Sequence, residues 1–516
     1  MASLLSTLLV GAALVVGVAG YLVLVPPRHP KGIPAVPFWV TLIPFWRDVD
    51  QSETFKAYLE EPLRTHGAVK IFFGAQWNIL VHRPRYLAEL FKHEDVYQKS
   101  GNQKKIPHSV LAAFLGDNII SSHGSTWKRY RQVIKPGLQR TFETELLARN
   151  AARLCDLITS ASGGVHGARA VAVQDLLQRY TIANIGDAVL QTDFGVSCSF
   201  LPTVGTTLTS GLTIHKLQTS LKQQIFKPVF MNFPFLDTLP IPSRLAARLT
   251  VSEFKDELTA SLVRAHGKAD GLGGPPGGEL GARLLAARRS GELTETQFRD
   301  NLTVLYVAGQ ENPQIGLIST LYLLAQHPEA QERLLAEMRS PGGAGYGKPE
   351  PEPTHEALQH MPYLASVVYE SLRVLPPLSQ LINRRAASDV VLGDGDGLRI
   401  PRGTYLGYHC YSTHRDTDCW GPDADRFRPE RWGDTMEDIQ RFYRLKRTRA
   451  EFVTFHGGNR ACLGERFAVL ELKVTLFMLT RRFAWQLDPT WPNKMTPAGP
   501  LFPRALRLVF KEREEW

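Results

Sequence analysis

The chain has 516 residues, of which 43% are hydrophobic and 21% charged, and its formal net charge is +10. This composition excludes a largely disordered chain and a small disulfide-rich domain, and it supplies enough apolar residues for one large core or for several average ones. The positive charge is compatible with an acidic protein partner, an anionic membrane surface or nucleic acid, and equally with a solvated basic surface.

The N-terminal segment predicts a membrane anchor. No charged side chain precedes Arg28, and residues 4–25 are almost continuously apolar, about the 20 residues needed to cross a bilayer. A cleaved signal peptide would begin with basic residues and have a shorter apolar core. Here the basic residues follow the run, which by the positive-inside rule leaves the rest of the chain in the cytosol. We expect one uncleaved transmembrane helix over residues 1–27 and a stiff proline-rich hinge over residues 28–37.

The remaining chain predicts one large body. The sequence AVKIFFGAQWNILV at residues 68–81 is typical of two short strands around a glycine-containing turn. From about Pro84 helical periodicity dominates, and glycine- and proline-rich stretches at residues 267–281 and 340–354 predict surface loops. We therefore expect a mainly α fold with a minor β part (α+β), in a single domain over residues 28–516.

One cysteine stands in an unusual local sequence. The five cysteines form no CxxC pair, so neither a disulfide framework nor a structural zinc site is expected. Cys462 lies in the segment FHGGNRACLG, residues 455–464, directly before a helical pattern. A helix start offers unpaired N–H groups and the positive end of the helix dipole, which favour a thiolate. Gly458 and Gly464 let the backbone approach a flat group closely.

The pattern F-x-x-G-x-R-x-C-x-G resembles the cysteine loop of the cytochrome P-450 family, and the resemblance covers nearly all of the chain, from hinge to C terminus. It implies haem b, with Cys462 as the axial thiolate ligand of the iron. It also implies that Phe455 shields the sulfur and that Arg460 neutralises a haem propionate. Thiolate ligation pushes electron density into the iron and favours O–O cleavage.

Two further segments resemble haem-contacting parts of the family. Trp127 and Arg131, in WKRYR, are four residues apart and face one side of a helix, and the resemblance implies that both reach a propionate. Arg384 stands where the family supplies another propionate arginine from a strand, with Arg385 beside it as the alternative.

A third resemblance concerns structure rather than catalysis. Glu370 and Arg373, in YESLRVLPP, would mean little alone, because solvated helices often carry such pairs. Together with Arg431, in FRPERW, they resemble the family's buried ion network behind the haem. Removing one partner from such a network leaves an uncompensated buried charge. We expect these three residues to be structural.

The segment AGQENPQ, residues 308–314, departs from the family pattern (A/G)-G-x-(D/E)-T. The acid Glu311 is present, but Asn312 replaces the threonine and Pro313 follows. We expect Glu311 and Asn312 to be catalytic, holding a water that relays protons. Pro313 has no N–H, so we expect the helix to open locally. The segment is similar to a fungal subgroup that includes the enzyme that couples tyrosine units for spore-wall dityrosine, along with enzymes of secondary metabolism.

Apolar segments predict a lipophilic or aromatic small-molecule substrate. Those expected to line the cavity are residues 106–120, 207–241, 304–312, 378–382 and 498–502. The outer face of the second of them is also suited to dipping into a membrane.

No flavin or nicotinamide fingerprint occurs, so electrons from NADPH must come through the flavins of a partner, NADPH-cytochrome P-450 reductase, with cytochrome b5 as a second candidate donor. An acidic partner is expected to dock on a basic face. Nucleic acid is not expected, because no recognised binding fold accompanies the charge. The residues of this basic face are Arg441, Arg444, Lys446, Arg447 and Arg449, with Lys128 and Arg129.

The expected function is that of a haem-thiolate monooxygenase or oxidative coupling enzyme that uses O2 and NADPH. We expect it in the endoplasmic reticulum membrane, single-pass with its catalytic domain in the cytosol, and in fungal secondary metabolite biosynthesis. Two alternatives stay open. One is a reductase-independent haem-thiolate isomerase or dehydratase, which the missing threonine allows, and the other is a non-catalytic haem-binding sensor.

Overall fold

A computed structural model describes residues 24–164, 167, 169–194, 210–267, 279–340, 353–393 and 397–513, with scattered residues between 7 and 21. The predicted anchor and the two predicted glycine- and proline-rich loops therefore fall largely outside the described residues. Within the described ranges, no helix is both long enough and apolar enough to span a bilayer.

Helices form most of the described chain. The α-helices, numbered α1 to α20, are Gln51–Tyr58, Glu60–His66, Pro84–Lys92, Asn102–Lys105, Val110–Leu115, Gly124–Leu138, Thr144–Ser162, Val173–Asn184, Ser210–Ile225, Pro228–Asn232, Pro242–Gly267, Leu280–Arg289, Glu295–Gln326, Pro328–Arg339, His355–Gln359, Pro362–Val374, Cys410–Thr413, Thr417–Trp420, Met436–Thr448 and Glu465–Arg482. A π-helical segment, Ile185–Leu190, continues α8. Short 3-10 helices cover Phe38–Phe45, Pro234–Thr238, Pro429–Trp432 and Gly458–Arg460.

The strands form a smaller part, as expected of a mainly α fold with minor β structure. Numbered β1 to β10, they are Ala68–Phe73, Gln76–Val81, Tyr97–Lys99, Val171–Ala172, Leu381–Ala386, Val390–Leu392, Leu398–Ile400, Tyr405–Tyr408, Phe483–Leu487 and Arg507–Glu512. The described strands form a five-stranded sheet of order β1-β2-β8-β5-β3, a three-stranded sheet of order β4-β10-β9 and the pair β6-β7. The hairpin predicted over residues 68–81 is confirmed as β1 and β2, with Ala68 opposite Val81.

The long helix α13 passes through the core, and most of its residues are buried. Its start is fixed by a capping box, in which the Thr294 hydroxyl accepts from the Gln297 N–H and the Gln297 amide accepts from the Thr294 N–H. The helix runs unbroken past Pro313. The local opening expected at that proline therefore does not interrupt the helix.

A buried polar network ties α20 to α7 and α8. The Asn184 side chain donates to the Glu471 carboxyl at 2.7 Å, and Asn150 donates to the Asn184 carbonyl at 2.9 Å. The Tyr180 hydroxyl lies 2.7 Å from the Thr475 hydroxyl. Burial raises the pKa of Glu471 to about 8, so this carboxyl is mainly neutral at pH 7 and avoids a buried charge. The network fixes the helix that begins directly after the cysteine loop.

Candidate active site

Cys462 faces a cavity between α13 and the start of α20. Its backbone N–H donates to the Phe455 carbonyl at 2.9 Å, which closes the loop before the helix. The N–H groups of Gly464 and Glu465 point at the sulfur. The side chain is exposed toward the cavity and is enclosed by protein elsewhere, so its open side is the one available to a ligand.

Enclosure raises the pKa of the Cys462 thiol to about 11, although the hydrogen bonds from Gly464 and Glu465 oppose this shift. The free thiol is therefore protonated at neutral pH, and a metal that binds it must displace the proton. A single cysteine beside an open cavity fits an axial haem ligand, whereas a structural zinc takes four protein ligands.

The predicted loop glycines serve two different contacts. Gly458 has φ of 62°, and a β-carbon there would lie 2.3 Å from the Phe91 carbonyl oxygen, so the glycine permits close packing on the end of α3. Gly464 lines the cavity, and a β-carbon there would lie 4.0 Å from the Cys462 sulfur. Phe455 is buried and also lines the cavity.

Two buried cations, Lys99 and Arg460, line one end of this cavity, and a third, Arg384, lies beside Lys99 just behind the cavity wall. Lys99 and Arg384 are 5% and 1% exposed, and the Arg460 side chain is 4% exposed. Lys99 stands directly opposite Arg384 in the pairing of β3 with β5, where like charges destabilise a sheet. The Glu94 carboxylate, 3.7 Å from Arg460, offsets one of the three charges.

The cations have unused hydrogen-bond donors. The Arg384 Nε and the Arg460 Nη1 are buried without a partner. Burial, reinforced by Arg384 and Arg460, holds the pKa of Lys99 well below its usual range, and burial lowers the pKa of Arg460 to about 10. Buried cations without counter-charge are costly unless a ligand supplies anions. A flat molecule carrying two carboxylates at one edge fits, which is the chemistry of haem b with its propionates.

Trp127 and Arg131, the predicted residues of the WKRYR segment, also lie at the end of the cavity that holds the buried cations. The Trp127 ring lies 4.3 Å from the Arg460 guanidinium and 5.3 Å from that of Arg131. Arg131 donates to the Asn459 carbonyl at 2.9 Å, and both predicted residues line the cavity. Arg385, the alternative to Arg384, is exposed and donates to the Gly403 carbonyl, so Arg384 is the inward-facing arginine.

Lys99 is the site residue that the sequence did not reveal. It belongs to a strand of only three residues, and no motif surrounds it. Its place beside the haem-contacting arginines depends on the register of β3 against β5, a pairing between segments almost 300 positions apart. Alternation of inward and outward side chains along β3 is the one local signal for its burial.

The central helix presents small residues and Asn312 to the cavity. Ala308, Gly309 and Asn312 all line it, and the Asn312 amide donates to the Ala308 carbonyl at 3.3 Å. A β-carbon on Gly309 would lie 2.3 Å from the Ile185 Cδ1 atom, so this glycine admits the π-helical segment against the cavity wall. The part of the cavity beside Asn312 is therefore lined mainly by small and apolar side chains, and it is called the groove below.

Glu311 does not line the cavity with Asn312. Its carboxylate is 2.7 Å from the Lys222 ammonium and accepts from the Gln218 amide at 3.1 Å, both on α9. The two predicted catalytic residues are neighbours in sequence, but successive residues on a helix point about 100° apart. The structure thus separates the acid from the amide that it was expected to assist.

The predicted ion network surrounds Glu370. Arg373 and Arg431 lie 2.8 Å and 3.1 Å from its Oε1 atom, and the Trp432 indole donates to its Oε2 atom at 2.9 Å. Burial alone would raise the pKa of Glu370, but the hydrogen bonds and charge of Arg373 outweigh it and lower the pKa. The network joins α16 to the 3-10 helix at Pro429–Trp432. None of its members lines the cavity, which agrees with a structural role.

The cavity walls come partly from the expected segments. Residues 106–120 supply Ile119 and Ile120, and residues 304–312 and 378–382 also contribute. The described parts of residues 207–241 and 498–502 do not reach it. Walls from α6, the π-helical segment, α12 and α20 were not expected, because periodicity shows that one side of a helix is buried but not which element it is buried against. These additional apolar residues are Ile134, Leu138, Ile185, Val189, Leu280, Phe467 and Leu472.

Some residues of the expected basic face form ion pairs within the protein. Lys446 is 7% exposed and lies 2.7 Å from Glu451, and Arg447 lies 2.8 Å from Glu465. The expected basic cluster is therefore reduced at Lys446, which α19 turns inward, whereas Arg447 is half-buried and paired. Arg441 is exposed and paired with Asp438. The other members, Arg444, Arg449, Lys128 and Arg129, are exposed.

Comparison with known proteins identifies the class. The family model for cytochrome P-450 matches residues 30–507. The chain is 39% identical to cytochrome P-450-DIT2 of Saccharomyces cerevisiae over 95% of both chains. It is 37% identical to cytochrome P-450 monooxygenase xanG of Aspergillus fumigatus, over 92% of this chain and 86% of that one.

A solved structure shows the same fold. The haem domain of a cytochrome P-450DA mutant superposes with a TM-score of 0.72 at 20% identity, over 95% of this chain and 97% of that one. The chain belongs to the cytochrome P-450 family and is an oxidoreductase of the monooxygenase type. Haem with a cysteine thiolate ligand is the cofactor of that class, and when bound it supplies the oxygen-activating chemistry.

Cys462→Ala is expected to abolish thiolate ligation. The reduced carbon monoxide complex of the wild type should show the long-wavelength absorption characteristic of this family, and the variant should lack it because no other sulfur faces the cavity among the described residues. Cys419→Ala, outside the cavity, is the matched control and should keep the band. Retention of the band in Cys462→Ala would contradict the ligand assignment.

Proposed function

We propose that the protein is a haem-thiolate monooxygenase or oxidative coupling enzyme that acts on a lipophilic or aromatic small molecule in fungal secondary metabolism, with electrons from NADPH delivered by a reductase. The observation that carries this proposal is the apolar groove beside Asn312, opposite Cys462. The groove supports the substrate class, the similar proteins support the fungal pathway, and an exposed basic face supports the reductase.

The groove supports a lipophilic substrate. Its walls on this side include Ile119, Ile120, Val304, Leu305 and Leu378. Apolar walls exclude water and bind apolar surface, at about 25 cal/mol per Å² removed from water. Binding therefore favours an uncharged, largely hydrocarbon or aromatic molecule.

The fungal assignment rests on similarity. Both similar proteins named above are fungal, and AGQENPQ resembles the subgroup that contains an oxidative coupling enzyme and enzymes of secondary metabolism. Asn312 offers an amide that both donates and accepts hydrogen bonds where the family usually has a hydroxyl. We infer that this amide holds a water or a polar substrate group in the groove.

Proton supply is assigned to the other side of the helix. Glu311, on α13, is paired with Lys222 on α9, whose side chain is 29% exposed. Protons from solvent would reach Glu311 through this pair, and Asn312, the next residue, would orient the water that receives them. The roles are then sequential: Glu311 exchanges protons, and Asn312 positions their acceptor.

An exposed basic face supports a reductase partner. Arg444, Arg449, Lys128 and Arg129 are exposed near the segments that carry the cysteine loop and the WKRYR helix. Charges at a rim mainly increase the rate of association with an acidic partner. The proposed partner is NADPH-cytochrome P-450 reductase, whose flavins would pass electrons from NADPH to the haem.

An exposed aromatic surface supports membrane attachment. Trp39, Trp46 and Phe235 are 51%, 65% and 58% exposed. The 3-10 helix that carries Trp39 lies beside α10, because Asn232 donates to the Thr41 carbonyl at 3.3 Å. Exposed tryptophan and phenylalanine side chains suit the interface of a bilayer. We propose that this surface and the segment of residues 1–27 attach the protein to the endoplasmic reticulum, with the domain in the cytosol.

Deletion of residues 1–27 is expected to release much of the protein from microsomes while haem binding survives. Residual affinity for vesicles should then fall further in the same protein with Trp39→Ser and Phe235→Ser, because both changes remove exposed apolar surface. Leu445→Ser, also exposed but on α19, is the control. Vesicle flotation measures the bound fraction, and equal binding by all these variants would contradict the proposed surface.

Reconstitution with a reductase tests the function. NADPH oxidation should rise when an organic extract of the host is added, and Cys462→Ala should abolish the rise. Asn312→Leu keeps similar bulk but removes both hydrogen-bonding functions, so product per NADPH should fall and peroxide should appear. Glu311→Gln should slow product formation by about 10²–10⁴-fold, the usual effect of losing a positioned acid. Asn312→Thr should stay within roughly tenfold of the wild type.

If the rate of NADPH oxidation does not change when the extract is added, the result would favour the sensor or the reductase-independent enzyme. Unchanged coupling in both Glu311→Gln and Asn312→Leu would remove the proton-relay role from the two residues. The helix would then act as a steric wall, and Asn312 as a substrate contact.

A further inference from the structure

A second cavity, which we call the polar cavity, lies at the edge of the five-stranded sheet. Its volume is about 320 Å³, and its lining is mainly polar, in contrast to the apolar lining of the cavity beside Cys462. The edge strand β3, helix α4, the end of β5 and the turn before β8 all contribute to its walls. The two cavities share one residue, Lys99.

The side chains of the polar cavity carry a surplus of positive charge. Lys99, Lys104, Arg385 and Arg402 line it, together with His123. No aspartate or glutamate of the described residues is part of the lining. Like charges held around one space repel each other, and the repulsion is relieved when an anion enters. The charge of this cavity therefore favours an anionic ligand.

Lys99 forms the inner end of the polar cavity, because it is only 5% exposed. Its ammonium forms no ion pair with a carboxylate of the described residues, and Glu94 acts on it only at longer range. Ser100 beside it is 4% exposed, and its hydroxyl lies 3.1 Å from the Tyr405 hydroxyl. A buried cation that lacks a paired anion is costly. The inner end of the cavity is therefore built from polar groups.

Lys104 and His123 form one side of the polar cavity. The Lys104 ammonium lies 3.2 Å from the His123 Nδ1 atom. Burial and the charge of Lys104 lower the pKa of His123 below its usual value, so the imidazole is mainly neutral at pH 7 and accepts from the ammonium. An ammonium has three donors, and this contact uses one of them. The remaining donors of Lys104 are available to a ligand.

Two arginines stand at the mouth of the polar cavity. Arg385 and Arg402 are both exposed, and neither lines the cavity beside Cys462. The Arg385 Nε atom donates to the Gly403 carbonyl at 3.2 Å, which fixes the side chain while its terminal nitrogens stay free of that contact. The Arg402 backbone N–H donates to the Asp389 carboxylate at 2.6 Å, and its guanidinium forms no ion pair with a described residue.

The arrangement of these cations fits a phosphate group. A guanidinium presents parallel N–H groups that match two oxygens of a phosphate. A phosphate monoester carries a charge of roughly −1.5 to −2 at pH 7, with three acceptor oxygens that point in different directions. A carboxylate carries one charge in one plane, so it would compensate fewer of the surrounding cations. A phosphate therefore matches both the charge and the separate directions of Lys99, Lys104 and Arg402.

We propose that the polar cavity binds the phosphate group of a small molecule or of a lipid headgroup, and that Lys99 links this site to the edge of the haem. The site goes beyond the proposed function, because it takes neither the substrate nor the reductase. Lys99 also faces the space assigned to the haem propionates. A bound phosphate thus places negative charge close to the haem, and this charge disfavours the addition of an electron to the haem.

Pyrophosphate is a suitable probe for the site. Isothermal titration calorimetry on the full-length holoprotein in detergent, with the ionic strength held constant by sodium chloride, should show one binding site per chain. We expect a dissociation constant of about 0.1 mM, typical of a weak, charge-dominated ligand. Arg402→Gln and Lys104→Gln should each weaken binding by about tenfold, because each removes charge-assisted hydrogen bonds.

Arg399→Gln is the matched control. Arg399 is an exposed arginine on β7, only three residues before Arg402, and it does not line the polar cavity. Its variant should bind pyrophosphate like the wild type. The absence of saturable binding in the wild type would overturn the site. Equal weakening in Arg399→Gln and Arg402→Gln would also overturn it, because the anion would then respond only to the general charge of the surface.

The source of the phosphate is separated by reconstitution into vesicles. Phosphatidylcholine vesicles are given the same negative charge by phosphatidic acid in one sample and by oleate, a carboxylate, in the other. A lipid headgroup that reaches the cavity should weaken pyrophosphate binding in the phosphatidic acid sample alone. Equal pyrophosphate binding in the two samples would assign the site to a soluble phosphate compound.

The link through Lys99 is tested by the oxidation state of the haem. Pyrophosphate should bind about fivefold more tightly to the ferric protein than to the photoreduced ferrous protein, measured without oxygen. Because coupling between two equilibria is reciprocal, the same factor describes how strongly the bound anion opposes reduction of the haem. Equal dissociation constants in the two oxidation states would overturn the link.

Discussion

The buried cluster of Lys99, Arg384 and Arg460 needs more negative charge than Glu94 supplies. This constraint determines what the cavity can hold, because an unpaired cation away from water costs several kcal/mol. An apolar ligand without acidic groups would leave the cluster uncompensated. A ligand with two carboxylates at one edge satisfies the unused donors and lets its flat body lie against the apolar walls.

A haem also needs an axial ligand for its iron, and the sulfur of Cys462 faces the same cavity. Different parts of the fold fix the two features. The pairing of β3 with β5 places the buried cations, and the start of α20 places the axial ligand Cys462. Helix α13 lines the same cavity, and its Asp300 and Asn301 accept hydrogen bonds from the loop that bears Ile119 and Ile120. Separate buried contacts thus fix the cofactor site and the cavity wall, and they meet at one cavity.

The sequence predicted those features that depend on residues close together in the chain. The β1–β2 hairpin followed from alternation around a turn, and the loop of Cys462 followed from glycines and an arginine in fixed spacing. Long-range register decided the rest. Lys99 gains its place only from a strand partner almost 300 positions away, and Glu311 turns toward Lys222 because α9 packs there. The inward turn of Lys446 is likewise set by Glu451 beyond the end of its helix.

The central claim is that the buried cations recognise carboxylates at the edge of the haem. The most direct measurement compares the dissociation constants of haem and haem dimethyl ester, in which both propionates are methylated. The account predicts that esterification weakens binding at least 100-fold, about 2.7 kcal/mol, in the range of hydrogen bonds to charged groups. It also predicts that this factor shrinks in Lys99→Gln, because one of the cations has gone. Equal affinity for haem and its dimethyl ester in the wild type would contradict the account.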